Sequence, residues 1–321
     1  MPDKLRLCVL IPAFNESVSI ARTIDDYRLH FPSASIVVVD NNSTDQTSNV
    51  ARSKLHEPHD KILLERQQGK GAAIKCGLSR IDADIYVIVD GDGTYAAADA
   101  IRLVDIMIER RCEMVVGDRI SSGNYMQQNS RAGHNLGNAF LTRYVSALAG
   151  QNYRDVLSGL RVMSRPFVRN LDIRSDGFEL ETELNIVAAY LRASVIEEPI
   201  SYLPRPEGSS SKLRTIRDGS RIFFSALLNW ISFFPLQGFG LVAILAFSVS
   251  LTLGIWVLIV FLKLGSMPYA ATAIAAATAG LVGLQSLFSG VTLKILLRNS
   301  RRKDVARLVE MRREWNVRVD C

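Results

Sequence analysis

No charged residue falls between positions 222 and 262, and after Lys263 the chain runs uncharged again from 264 to 293. Both stretches exceed the roughly 20 apolar residues that cross the hydrocarbon core of a bilayer. Pro235 divides the first stretch. The part before it is about 13 residues, roughly 20 Å of helix and too short to cross, so 214–235 reads as an interfacial helix. Its aromatics Phe223, Phe224, Trp230, Phe233 and Phe234 suit the headgroup boundary, and Arg214, Arg217 and Arg221 suit anionic lipid. Two transmembrane helices are expected within 236–294, at about 237–262 and 267–293, joined by a turn at "KLGSMP". Residues 295–321 form a basic tail. An even number of spans returns that tail to the side of the first domain, and the positive-inside rule makes that side cytosolic. A multi-pass protein of the cytoplasmic membrane is expected.

The 321-residue chain has a net charge of +6 and is 48% hydrophobic. Basicity alone suits nucleic acid or a membrane surface; the hydrophobic content selects the membrane, and no nucleic-acid partner is expected. Between 298 and 318 eight Lys or Arg stand against three acidic residues, directly after the last apolar stretch. Cys8, Cys76, Cys112 and Cys321 contain no CxxC pair, which gives neither a disulfide framework nor a zinc site and fits a reducing cytosol. The opening residues lead into a short strand without a small-residue cleavage site, so residues 1–213 are expected to remain cytosolic. Gly280, Gly283 and Gly290 permit close helix contact without forming GxxxG, which leaves a homo-oligomer open.

Residues 1–213 alternate differently. "LRLCVLIP", "SIVVVD", "KILLE", "DIYVIVD" and "EMVVGD" are short β-branched runs separated by helical patterns such as "GAAIKCGLSRI". Strand, helix, strand repeated predicts an α/β domain on a mostly parallel sheet with crossover helices. Ligands in such sheets bind beyond the carboxyl ends of the strands. The polar segments there are "PAFNE" (12–16), "DNNSTD" (40–45), "QGKGA" (68–72), "DGDGTY" (90–95) and "GDR" (117–119). No GxGxxG follows the first strand, "QGKGA" lacks the GK[ST] ending of a P-loop, and no GxSxG elbow occurs, which removes the main support for dehydrogenase, ATPase and hydrolase readings. His56 and His59 lie in a Pro-broken loop that reads as solvated rather than as a metal site.

Asp90 and Asp92 are spaced to point the same way from a turning backbone, and two hard oxygen ligands suit Mg²⁺ or Mn²⁺ with phosphate completing the shell. Gly91 and Gly93 let a diphosphate approach the backbone. Read alone, the same residues are equally a strand ending in an Asp-Gly turn.

Taken in order and spacing, "LIPAFNES", "IVVVDNNSTDQT", "GKGAAIKCGL", "VIVDGDGTY" and "GDR" resemble the family 2 glycosyltransferases of GT-A fold, a Rossmann-like nucleotide-diphospho-sugar transferase fold. "RAGHNLGN", "DVLSGLRVMSR", "GFELETEL" and "PISYLPRPEGSSSKL" look like the branch that makes polyprenyl-phosphate sugars, including dolichyl-phosphate mannose synthases. The resemblance spans about 7–213. It implies that Pro12, Phe14, Asn15, Glu16 and Asp40 hold the base and ribose of a UDP- or GDP-sugar, with Lys70, Asp90, Gly91 and Asp92 completing the donor site. Asp90 and Asp92 become the metal-binding pair, with Thr94 where relatives often carry Gln. Arg119 and Arg131 are implied at the acceptor phosphate, with Asn135 where relatives often carry Ser. The resemblance also implies that Arg205, Ser211 and Lys212, in a Gly/Ser-rich loop, close over the donor phosphates. "NES" and Asp45 suit helix capping equally well, and Lys70 and Arg131 suit solvated surface positions.

A phosphate monoester with a second pKa near 6 is already an anionic nucleophile at neutral pH. The expected catalytic group is therefore Asp92, Arg119 and Arg131, in an inverting, metal-assisted transfer from a nucleotide sugar to an undecaprenyl- or dolichyl-type phosphate. The other reading is a membrane transferase acting on a sugar hydroxyl of a glycolipid or envelope polysaccharide, which needs a general base. "QNSRA" at 128–132 lacks the QxxRW motif of processive synthases.

Overall fold

The computed structural model describes residues 5–122, 134–206 and 215–320, apart from the side chains of 134–136 and 215–218. It divides into two compact units, Met1–Ala226 with Asp304–Cys321, and Leu227–Lys303.

The first unit is built on a seven-stranded sheet ordered β3-β2-β1-β4-β6-β5-β7. The strands are β1 (Leu7–Ala13), β2 (Ser35–Asp40), β3 (Lys61–Leu64), β4 (Ile85–Ile88), β5 (Met114–Asp118), β6 (Arg161–Ser164) and β7 (Val195–Pro199). All pairings are parallel except those of β6, which runs antiparallel to both β4 and β5. The five β-branched runs of the sequence supply β1 to β5. β1, β2, β4 and β5 are buried almost throughout and read as continuous apolar runs, as strands covered on both faces do, whereas β3 is a more exposed edge strand. Around it lie α1 (Ile20–His30), α2 (Thr47–Arg52), α3 (Lys70–Arg80), α4 (Ala97–Arg110), α5 (His134–Ala149), α6 (Arg165–Val168) and α7 (Leu180–Leu191). Val9, Ile11, Ile36, Val38, Val87 and Val115 of the strands join Ile24, Tyr27, Leu103 and Met107 of α1 and α4 in one core.

The segment expected as a helix over 214–235 forms α8 (Thr215–Phe233); Phe223 stacks on Tyr144 of α5 with ring centroids 4.5 Å apart. Pro235 opens α9 (Pro235–Leu264), where its missing N–H is harmless. Gly265, at φ 65°, closes it with the left-handed residue that commonly ends a helix. The last helix, α10, runs unbroken from Ala270 to Asp320. α9 and α10 are long and apolar enough to cross a membrane, with mean hydropathy 2.5 and 1.5 over their best windows. In the second unit the small residues of α10 serve this hairpin: a Cβ on Gly283 or Gly290 would come within 2.9 Å of Phe247 or Phe239 of α9. Ser250 Oγ donates to the Ala276 carbonyl at 2.7 Å, closing the same seam. These glycines are thus used inside the chain and give no argument for a homo-oligomer.

Residues 295–320 of the segment read above as a tail (295–321) continue α10, and no Gly or Pro interrupts 291–320. Leu308, Met311, Trp315 and Val319 recur at three- and four-residue spacing, the apolar stripe of a helix with a packed face. Leu308 and Trp315 are buried in the first unit, Arg312 pairs with the buried carboxylate of Glu113, and Arg318 Nη1 lies 3.1 Å from Asp84. Burial raises the Glu113 pKa, so its arginine partner offsets an unfavourable charge.

Candidate active site

The carboxyl ends of β1, β2 and β4 open on one side of the first unit, and three successive loops meet there. Pro12 is a buried β1 residue paired with Val39. Phe14 and Asn15 follow half-buried, with Asn15 in the left-handed region at φ 53°. That conformation, which Asn tolerates better than most residues, turns its amide onto the β2 loop. The Asn15 N–H donates to Ser43 Oγ at 3.0 Å, and its Oδ1 accepts from the Thr44 N–H at 2.8 Å. Glu16 donates its N–H to Thr47 Oγ1 at 2.8 Å. Asp40 is buried at the end of β2, accepts the Ser43 N–H at 3.0 Å and holds Ser48 Oγ. Asp45 lies just before α2, whose N-cap is Gln46, and accepts from the Thr47 N–H at 2.9 Å. Burial pushes the Asp45 carboxyl up, but hydrogen bonds from Thr47 and Ser17 outweigh it and hold the pKa below the ordinary value.

Lys70 opens α3 on a Gly-Lys-Gly turn whose glycines answer to a close approach. A Cβ on Gly69 would meet the Asp176 carbonyl at 2.1 Å, and one on Gly71 the Ser175 carbonyl at 2.3 Å. The turn aims Lys70 Nζ at two carboxylates, Asp90 Oδ1 at 2.5 Å and Glu181 Oε1 of α7 at 2.7 Å. Burial works against the ammonium, yet the two carboxylates outweigh it and keep Lys70 charged, above the ordinary lysine value.

Asp90 and Asp92 leave the end of β4 through Gly91, whose carbonyl accepts from Ser19 Oγ at 2.8 Å. Asp92 Oδ1 accepts from Thr94 Oγ1 at 2.6 Å, and Asp92 Oδ2 takes Arg205 Nε at 2.9 Å and Nη2 at 2.8 Å. The structure thus brings Asp90, Asp92, Thr94, Lys70 and Arg205 together. Three further residues complete the cluster. Glu181 shares Lys70. Gly159 leaves no room beside the pair: a Cβ there would lie 2.4 Å from Asp90 Oδ2. Tyr95 is buried and its hydroxyl accepts the Gly159 N–H at 2.9 Å. Glu181 and Gly159 lie in "GFELETEL" and "DVLSGLRVMSR", so the signal was present, but contact with Asp90 becomes visible only when antiparallel β6 carries its preceding loop across β4.

Arg119 adjoins this cluster through Tyr95, whose hydroxyl accepts from Arg119 Nη1 at 3.4 Å. Its guanidinium forms a two-pronged pair with buried Asp155, and lies 5.8 Å over the Tyr202 ring. Arg131, Ser211 and Lys212 lie outside the described residues, as does the side chain of Asn135 in the first turn of α5.

The donor set fits a hard divalent cation. Two carboxylates and a hydroxyl converge on one loop, and among the described residues no trio of His, Cys, Asp or Glu forms a closed cage. Mg²⁺ characteristically uses one or two carboxylates and takes its remaining ligands from phosphate and water.

The family model for glycosyl transferase family 2 matches residues 8–171. Glycosyltransferase AglJ of Haloferax volcanii is 32% identical over 313 residues, covering 97% of this chain and all of that one. Undecaprenyl-phosphate mannosyltransferase of Micrococcus luteus is 26% identical, covering 64% of this chain and 87% of that one. UDP-N-acetylglucosamine–dolichyl-phosphate N-acetylglucosaminyltransferase of Methanococcus voltae is 28% identical over 71% of this chain and 97% of that one. Among solved structures, glucosyl-3-phosphoglycerate synthase from Mycobacterium tuberculosis, in complex with Mn²⁺, UDP and glucosyl-3-phosphoglycerate, superposes with a TM-score of 0.56. At 18% identity over 71% of this chain and 80% of that one, the likeness is one of fold. By the match over residues 8–171 and the full-length relative, the chain belongs to the family 2 glycosyltransferases, with a GT-A catalytic domain.

Proposed function

We propose that this glycosyltransferase moves a sugar, with inversion, from a UDP- or GDP-sugar to a polyprenyl phosphate at the cytosolic face of the membrane. The observation that carries the reading is that the carboxylates around the site are already committed. Asp90 and Glu181 hold Lys70, Asp92 holds Arg205, and Asp155 holds Arg119. A sugar hydroxyl needs a general base to attack, whereas a phosphate monoester arrives deprotonated. A site in which Asp90, Asp92, Asp155 and Glu181 serve as counter-ions suits the phosphate. The undecaprenyl- and dolichyl-phosphate transferases among the relatives support the same acceptor class.

In this reading Asn15 and Asp40 orient the nucleoside. Asp90 and Asp92, with Thr94 beside them, hold Mg²⁺ or Mn²⁺. When bound, the ion neutralises charge on the departing diphosphate. Lys70, Arg205, Ser211 and Lys212 meet the donor phosphates. Arg119, fixed by Asp155, joins Arg131 and Asn135 in holding the acceptor phosphate so that one oxygen stays free to attack the anomeric carbon in line. The work of these residues is positioning and charge balance. The membrane helices serve the acceptor: a polyprenyl chain resists leaving the bilayer by about 0.8 kcal/mol per CH₂, so the transferase must come to the lipid. The test is transfer of label from a nucleotide sugar into an organic-soluble product. Label that does not depend on added polyprenyl phosphate would rule the reading out.

A further inference from the structure

We propose that Arg205 and Lys70 are resident counter-ions that close the Asp90/Asp92 pair to free divalent metal and yield it to a metal–diphosphate complex. The inference rests on the donor-site reading above and adds an order of binding to it.

Two side chains occupy the places where cation charge belongs. Arg205 directs both Nε and Nη2 at one oxygen, Asp92 Oδ2, at 2.9 and 2.8 Å. Lys70 lies 2.5 Å from Asp90 Oδ1. The contacts are sheltered: the side chains of Asp92 and Lys70 are each 10% exposed. Charge pairs screened this little are strong competitors for an incoming ion.

Charge balance then sets the order. Asp90, Asp92 and Glu181 oppose Lys70 and Arg205, leaving one net negative charge in the cluster. A divalent ion alone would turn this into one net positive charge, against two cations with nowhere to go. The diphosphate of a nucleotide sugar, with two negative charges, would alone raise the deficit to three. Entering together, the two restore the original balance, and the diphosphate gives Arg205 a new partner as it leaves Asp92. Lys70 retains Glu181, at 2.7 Å, when Asp90 turns to the metal. Arg205, with a 31% exposed side chain, is the freer of the two and makes the exchange.

The test is Mn²⁺ binding to the full-length protein in detergent, read from the paramagnetic resonance signal of free Mn²⁺, alone and with UDP or GDP. In the wild type, nucleotide is expected to tighten Mn²⁺ strongly. Arg205→Gln is expected to tighten Mn²⁺ alone by about tenfold, at the low end of what close charge pairs are worth. The same variant weakens Mn²⁺ binding in the presence of nucleotide. Arg205→Lys, which keeps the charge, stays near wild type for Mn²⁺ alone. The opposite signs of the two arms for one residue are the signature, because a merely structural role would move both the same way. Unchanged or weaker Mn²⁺ binding by Arg205→Gln, with nucleotide-dependent Mn²⁺ binding intact in the wild type, overturns the counter-ion role and leaves the proposed function standing. If Arg205→Gln fails to fold, equal Mn²⁺ affinity of the wild type with and without nucleotide overturns it as well. Failure of the wild type to bind Mn²⁺ with either nucleotide removes the metal reading and this inference together.

Discussion

Arg119 and Asp155 meet fork to fork, Nε to Oδ2 at 2.7 Å and Nη2 to Oδ1 at 2.8 Å, with the aspartate side chain wholly buried. Asp155 Oδ2 also accepts the Arg119 backbone N–H at 3.2 Å. The pair ties the loop after β5 to the loop before β6, which carries Gly159 against Asp90. Removing one partner strands the other charge in a poorly solvated place. Asp155→Ala is therefore expected to cost about 3–5 kcal/mol of stability, read as a shift in urea or thermal midpoint. A loss under about 1 kcal/mol, the scale of a surface pair, would mean that solvent reaches Arg119.

The C-terminal end of α10 belongs to the catalytic unit. Trp315 is 3% exposed within the core that includes Val9 and Val87. Trp315→Ala should destabilise that unit by about 3–5 kcal/mol, the usual cost of emptying a large aromatic site. An unchanged unfolding midpoint would show that these turns do not pack on the domain.

Asp92→Asn removes a negative charge from the loop after β4 and leaves Arg205 without its ion-pair partner. Turnover is expected to fall by at least about 10²-fold, the scale of losing one preorganised charge-stabilising group, while nucleotide sugar still binds weakly by calorimetry. Near-normal turnover with Mg²⁺ or Mn²⁺ would take the metal out of the mechanism.

Arg131→Ala is expected to raise the polyprenyl phosphate requirement by about 10- to 100-fold, the worth of a charge-assisted hydrogen bond, with little change in the requirement for donor. Steady-state kinetics with each substrate varied in turn checks this. An equal change in both would remove Arg131 from the acceptor site.

The strands legible in the sequence were those built on an uninterrupted apolar stretch, from "LCVLIPA" to "MVVGD". β6 and β7 were not, for physical reasons. "RVMS" has only two apolar residues between Arg161 and Ser164; the buried arginine is tolerated because Nη2 donates to the Val156 carbonyl at 2.8 Å and Nη1 to Asn185 Oδ1 at 3.2 Å. "VIEEP" is a half-buried edge strand whose Glu197 accepts backbone N–H groups of Arg154 and Asp155 instead of facing water. In the site, Asp90 and Asp92 announce themselves by spacing. Their cations Lys70 and Arg205 were nameable only through the resemblance, because each pairing depends on the fold: β4 must lie beside β1, and the chain after β7 must return to Thr94, where the Leu203 N–H donates at 2.9 Å. The basic composition of 298–318 drew attention away from its apolar stripe. Arginines that look like a membrane flank turn out in part to answer Glu113 and Asp84.

The most direct test of the account offers the purified enzyme, in detergent with Mg²⁺ or Mn²⁺, a panel of radiolabelled UDP- and GDP-sugars against two acceptors, undecaprenyl phosphate and undecaprenol. The account predicts label in the organic phase with the phosphate and none with the alcohol, since no side chain is needed to deprotonate the first and none is assigned to deprotonate the second. Label transferred to the alcohol, or to a sugar hydroxyl in place of the phosphate, would contradict it.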